Sequence, residues 1–165
     1  AVARHPRRKP DPAKAAPLPG GNGVLLPAAI FRDAYGPVFY SWYCKPGRNT
    51  AIVYAPRSPR SSVMRASFTL DKAPDGGATL DIEGQDSQND LMPPARIRIM
   101  LNGAAVHEGD CGFVKRGWSR RAFDVPAGVL KAGENAIEVR NVTPGTARLD
   151  GWWFALSEAK IVFKQ

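Results

Sequence analysis

Cysteine, histidine and long apolar runs are all scarce in these 165 residues, and each shortage removes a class of function. There are two cysteines, Cys44 and Cys111, too few for a disulfide-dense scaffold or for a thiolate metal site. The two histidines are His5, in a proline-rich stretch, and His107, at the end of a short strand, and neither is placed as a general base. Ser, His and Asp form no nucleophile motif. Asp81 and Glu83 lie two apart on one exposed strand face, without the apolar surroundings that raise a carboxyl pKa for acid work. The chain is therefore expected to be non-enzymatic. No apolar run approaches the roughly 18 residues of a membrane-spanning helix, and no EF-hand spacing is present.

What the sequence does contain is alternation. In 95–101, Ile97, Ile99 and Leu101 share one face of an extended chain, and Arg96, Arg98 and Met100 share the other. The same period of two recurs in 78–83 (Ala78, Leu80 and Ile82 inward), in 64–70 (Met64, Ala66, Phe68 and Leu70 inward) and in 135–142 (Ile137 and Val139 inward). Asn102-Gly103 directly follows a strand and precedes the short run 104–107, a strong hairpin signal because both residues tolerate positive φ. Between Val125 and Asn135 the Gly- and Pro-bound segment predicts one helical turn plugging the sandwich with Leu130.

The run ARIRIMLNGAAVHEGD, followed by GWSRRAFDVPAGVLKAGENAIEVRNV and WWFALSEAKIVF, resembles the second half of a galactose-binding-like β-sandwich. This is the jelly roll of many carbohydrate-binding modules and of accessory domains of extracellular glycoside hydrolases. The similarity covers about 64–163 and lies in scaffold elements: strand spacing, the Asn-Gly hairpin, the Gly-Trp-Ser turn and the Leu-Lys-Ala-Gly-Glu-Asn loop. It implies an all-β antiparallel sandwich with a non-catalytic role, most often sugar or polymer binding. In many relatives it also implies a structural Ca²⁺ near the chain ends, to which Glu158 would contribute. No other cofactor is required.

Length suits a single sandwich domain over 24–165 behind a basic extension over 1–23. The extension carries Arg4, Arg7, Arg8, Lys9 and Lys14 among prolines that include Pro10, and then a Gly20-Gly21-Asn22-Gly23 hinge. With Asp11 its net charge is +4, half of the chain's +8. It cannot bury enough apolar surface to fold alone and is expected to be extended. Two roles stay open: an assembly arm seated on a neighbouring copy, making the chain a subunit of an extracellular filament or sheath, or an arm folded back on its own domain. The Ala-Val-Ala start is what a removed signal peptide would leave, and the expected location is extracellular. An exported chain with two cysteines suggests one Cys44–Cys111 bridge, closing about 66 intervening residues and worth roughly 4 kcal/mol. Two unpaired buried thiols are the alternative.

The positive charge would attract any polyanion, but no nucleic-acid motif accompanies it, so DNA or RNA is not the expected partner; acidic polysaccharide, a negatively charged cell surface or an acidic neighbouring subunit explains the charge equally well, and a glycan is the leading ligand. Sugar modules stack pyranose faces on Trp or Tyr and satisfy hydroxyls with polar side chains. The candidates are Trp118 beside Arg120 and Arg121, the Trp152-Trp153 pair, and Tyr40, Trp42 and Tyr43. Trp118 is weighed towards packing. Asp86, Asn89 and Asp90 of the polar loop 84–90 are candidates for hydroxyls or a hard cation, although such loops are more often only solvated. Asn141-Val-Thr143 matches a glycosylation acceptor that overlaps a strand end.

Overall fold

The computed structural model describes residues 14–38, 49–87, 91–144 and 152–165, with the backbone alone for 35–38. They form an antiparallel β-sandwich of two sheets, and among them the only helical piece is the 3-10 turn Ala28–Ile30. The larger sheet holds β1 (Ala16–Pro17), β2 (Gly23–Pro27), β3 (Tyr35–Val38), β4 (Thr50–Tyr54), β6 (Ala78–Asp86), β9 (Ser119–Val125) and β11 (Trp153–Phe163). The smaller runs in the order β5 (Val63–Leu70), β10 (Gly133–Asn141), β7 (Arg96–Leu101), β8 (Ala104–Asp110).

Every inward residue expected from the alternation is buried in one core between the sheets: Met64, Ala66, Phe68 and Leu70, Ala78, Leu80 and Ile82, Ile97, Ile99 and Leu101, Ile137 and Val139. The Asn-Gly turn forms as expected, with Asn102 at φ 49° and Gly103 at φ 81°, the left-handed pair that a two-residue hairpin needs. The 126–133 connection forms no helical turn. It closes with a bond from the Val129 amide to the Pro126 carbonyl (3.4 Å), while Leu130 plugs the core as expected. Two asparagines hold it. Asn102 Nδ2 donates to the Val129 carbonyl and to Asn135 Oδ1, and Asn135 in turn bonds both amide and carbonyl of Lys131. Side chains thus supply partners that a helical turn would have taken from its own backbone.

β11 organises the larger sheet. One edge pairs with β6 along its length, and the other is divided between β4 (153–156) and β2 (158–162). Against β6 the register shifts between Leu156 and Glu158, so that Ser157 is an extra residue in β11.

Three further expectations change. Cys111 is a free thiol in the main core, so the bridge to Cys44 is not present; Cys44 lies outside the described residues. Burial pushes the Cys111 thiol up to about 12, and the nearby Asp86 charge adds to the effect. The Asn141 side chain is fully buried. It donates to the Val53 and Trp152 carbonyls and accepts from the Thr143 amide and hydroxyl, leaving no room for a glycan. Finally, Ala16–Pro17 already pair with 24–25, so the expected hinge is the β1–β2 turn and the sandwich begins before residue 24. Arg4, Arg7, Arg8, Lys9 and Pro10 lie outside the described residues.

Two outcomes follow from this packing. Replacing Asn141 with Ala orphans buried carbonyls and an amide and should cost about 2–3 kcal/mol in urea unfolding. Cys111 should resist iodoacetamide in the native protein and be alkylated only in denaturant, as peptide mass analysis would show.

Candidate functional site on the outer face of the larger sheet

The bulge at Ser157 decides what faces outward. Phe154 and Leu156 point into the core, and strict alternation would send Glu158 after them. The extra residue reverses the parity, so Ala159 and Ile161 resume the inward series. Glu158 is thereby aligned with Glu83 on β6, and the Ser157 hydroxyl donates to Glu83 Oε1 at 2.6 Å. Gly84 opposite Leu156 is obligatory. A Cβ there would lie 2.6 Å from the Phe113 ring and 2.8 Å from the Ala155 carbonyl oxygen.

From β9, Arg120 reaches into this alignment. Its Nε lies 3.0 Å from Asp81 Oδ2, and its Nη1 lies 3.0 Å from Glu158 Oε1 and 3.5 Å from Glu83 Oε2. Lys160 Nζ approaches Glu158 Oε1 at 3.7 Å. Burial works against the Arg120 charge, but the bonds to Glu158 and Asp81 outweigh it and hold its pKa above the ordinary guanidinium value. Arg120 remains 35% exposed and Asp81 29%, whereas Glu83 is 13% exposed. The arrangement is a guanidinium fixed from several sides, with carboxylate oxygens at its rim.

Beside it on the same outer face lies a second apolar cluster. Ile52 and Tyr54 of β4 join Trp153 and Ala155 of β11, and half-buried Trp118 packs against them. Arg60 stacks over Tyr54 with its guanidinium carbon 4.9 Å from the ring centroid and donates to the Tyr54 oxygen at 2.8 Å. Trp118 and Arg120, two apart, therefore join an aromatic platform to a polar hub.

The structure gathers Trp118, Trp153, Arg120 and Glu158 on this face and leaves the other candidates elsewhere. Trp152 precedes β11, half-buried, with its carbonyl accepting from the Ala55 amide and Asn141 Nδ2. Asp86 is 1% exposed at the end of β6, where it accepts the Ser87 amide at 2.6 Å and pairs with Lys115 at 3.4 Å. It ties the 87–95 connection to the 111–118 connection that carries Trp118, a placement unlike that of an open loop. Asn89, Asp90, Tyr40, Trp42 and Tyr43 lie outside the described residues. Glu158 is mid-strand and faces Arg120 and Lys160, so cations already stand where a Ca²⁺ would need carboxylates. Its surroundings do not fit that ion, and among the described residues no group of three or more His, Cys, Asp or Glu side chains is arranged to hold a metal. Tyr54, Asp81, Glu83 and Ser157 were not among the sequence candidates. The two carboxylates were visible as one exposed strand face, but their convergence on Arg120 depends on the β6–β9 register.

No protein-family model matches the chain, and no curated protein does. Among solved structures, the fold is similar to the GH26-CBM35 β-(1,4)-mannanase of Podospora anserina, at 17% identity and a TM-score of 0.57, over 87% of this chain and 28% of that one. It is also similar to the CBM36-1 domain of a multidomain xylanase from the hindgut metagenome of Trinervitermes trinervoides, at 18% and 0.55, over 87% and 99%. A family 35 carbohydrate binding module from an environmental isolate matches at 17% and 0.57, over 84% and 91%. The chain thus spans little more than a quarter of the mannanase and nearly the whole of the two isolated modules. The chain shares with these modules the antiparallel β-sandwich that the sequence resemblance implied.

Asp86 generates a pH expectation. Burial, the largest influence, raises its pKa above the ordinary carboxylate value, with partial relief from the Ser87 amide and Lys115. The unfolded chain therefore releases this proton at lower pH than the folded one. The contribution to stability is present on the acid side and is lost as pH rises through the folded-state value. Asp86→Asn removes that slope, so the stability of the original protein relative to the variant should increase as pH falls through this window, measured by urea unfolding across pH.

Proposed function

We propose that the chain is a non-catalytic module that binds carbohydrate outside the cell on the outer face of its larger sheet, with Trp118 as the stacking surface and the Arg120 cluster as the hydroxyl-binding edge. The observation that carries this reading is the junction of a half-buried indole with a pre-organised guanidinium–carboxylate hub on a rigid sheet. A pyranose has an apolar face and a rim of hydroxyls, and such a junction offers one partner to each. The carbohydrate-binding modules named among the structural neighbours support the reading, although a shared fold alone does not carry a ligand. The non-catalytic assignment is supported by the isolated modules that share the fold, and by the pairing of the outer-face carboxylates with Arg120 and Lys160.

Trp118 is half-buried at the edge of the second cluster and Trp153 is 8% exposed within it, which separates their roles. Trp118→Ala should weaken glycan binding about tenfold or more, with little change in the unfolding midpoint. Trp153→Ala should instead cost about 3 kcal/mol or more of stability. Affinity electrophoresis over a panel of soluble polysaccharides, paired with thermal unfolding, measures both. Unchanged retardation of the Trp118 variant would move the site off this face.

A further inference from the structure

We infer that this face selects uncharged glycans and rejects acidic ones, contrary to what the chain's net charge of +8 suggests. The inference rests on the carbohydrate reading above and names the ligand class for the same site.

The cationic group best placed to greet a uronate or sulfate, Arg120, is already engaged. Asp81 lies 3.0 Å from its Nε, and Glu158 and Glu83 lie 3.0 and 3.5 Å from its Nη1. Lys160 is drawn to Glu158. The charged groups joined here carry three negative charges against two positive, a sum of −1 around Arg120, and Arg60 over Tyr54 of the adjoining platform brings the face to neutrality, not to a positive excess. An incoming anion would have to displace a carboxylate from Arg120 or sit against Asp81, and both are unfavourable in a partly desolvated cluster. A hydroxyl meets no such barrier. It can donate to Asp81, which is 29% exposed and whose two oxygens share the single Arg120 Nε, leaving acceptor capacity.

Charge on the other sheet is balanced. On the outer face of the smaller sheet, Arg65 pairs with Asp33 and Glu138, Arg140 with Glu138, Arg98 with Glu108 and Arg96 with Asp110, so arginines and carboxylates balance there too. Half of the net charge belongs to the first fourteen residues. Attraction of polyanions through net charge is a generic effect that salt removes, and salt dependence distinguishes it from binding at the Trp118–Arg120 face.

The test is affinity electrophoresis and calorimetry of the full chain with galactomannan and xyloglucan as neutral probes and polygalacturonate as the acidic one. Measurements are made at low salt and at about 0.15 M, where the screening length is about 8 Å. Neutral-glycan binding that does not change with salt is expected, with polygalacturonate at least tenfold weaker at 0.15 M. Asp81→Asn, which removes one charge and partly frees Arg120, should raise polygalacturonate affinity severalfold; Glu83→Gln is the second variant should the first unfold. Polygalacturonate binding that persists at 0.15 M, matches the neutral probes and is lost in Arg120→Gln overturns the inference while leaving the carbohydrate reading intact. Failure of every glycan to bind overturns both.

Discussion

One extra residue in the last strand governs the rest of the outer face. β11 is the strand on which the larger sheet is assembled, bonded to β6 on one side and to β4 and β2 in turn on the other. Its inward residues Phe154, Leu156, Ala159 and Ile161 are all at most 1% exposed, which is possible only because the count slips at Ser157. Without the slip, Glu158 would follow Leu156 into a dry core and carry a charge with no water and no partner. With it, Glu158 meets Arg120, Ser157 bonds Glu83, and the strand divides its free edge between two neighbours. The bulge costs one unpaired step in a ladder and in return keeps a carboxylate out of the core.

Elsewhere the fold relies on buried polar side chains at the points where the sheets end. Asn141 joins the end of β10 to β4 and to the residue before β11. Asn102 and Asn135 fasten the β9–β10 connection onto the β7–β8 turn. Asp86 binds two loops at one end of the sandwich. Each group is hydrogen-bonded on several sides, the condition under which a buried polar atom specifies a geometry without a large desolvation loss. These contacts perform locally the fastening expected of a bridge from Cys111, whose thiol is simply part of the core.

Charge is distributed by the same logic. Ion pairs between exposed arginines and carboxylates contribute little stability one by one, but they cancel the field of a face. The smaller sheet's outer surface is a balanced lattice of this kind, and the larger sheet's is slightly acidic around Arg120. A chain that is strongly basic as a whole therefore carries, around Arg120, a cluster that is not.

The sandwich itself was legible in the sequence because a period of two, with buried residues on one face, maps directly onto a half-buried strand, and because Asn102-Gly103 admits few backbone conformations. Leu130 as a plug could be read for the same reason: apolar groups at fixed distances from turns have few places to go. The polar roles could not be read this way. Asn141 in an Asn-Val-Thr triplet looks like an acceptor until its neighbours across the sheets are known, and Asp86 looks like a loop ligand until its burial is known. Glu158 had a candidate role, yet its partner Arg120 lies 38 residues earlier and meets it only through β6. Local alternation determined which residues enter the core, since hydrophobic burial acts on each strand separately. Register and the bulge decided which charges meet, since those depend on how strands distant in the chain are aligned, a relation that no single segment encodes.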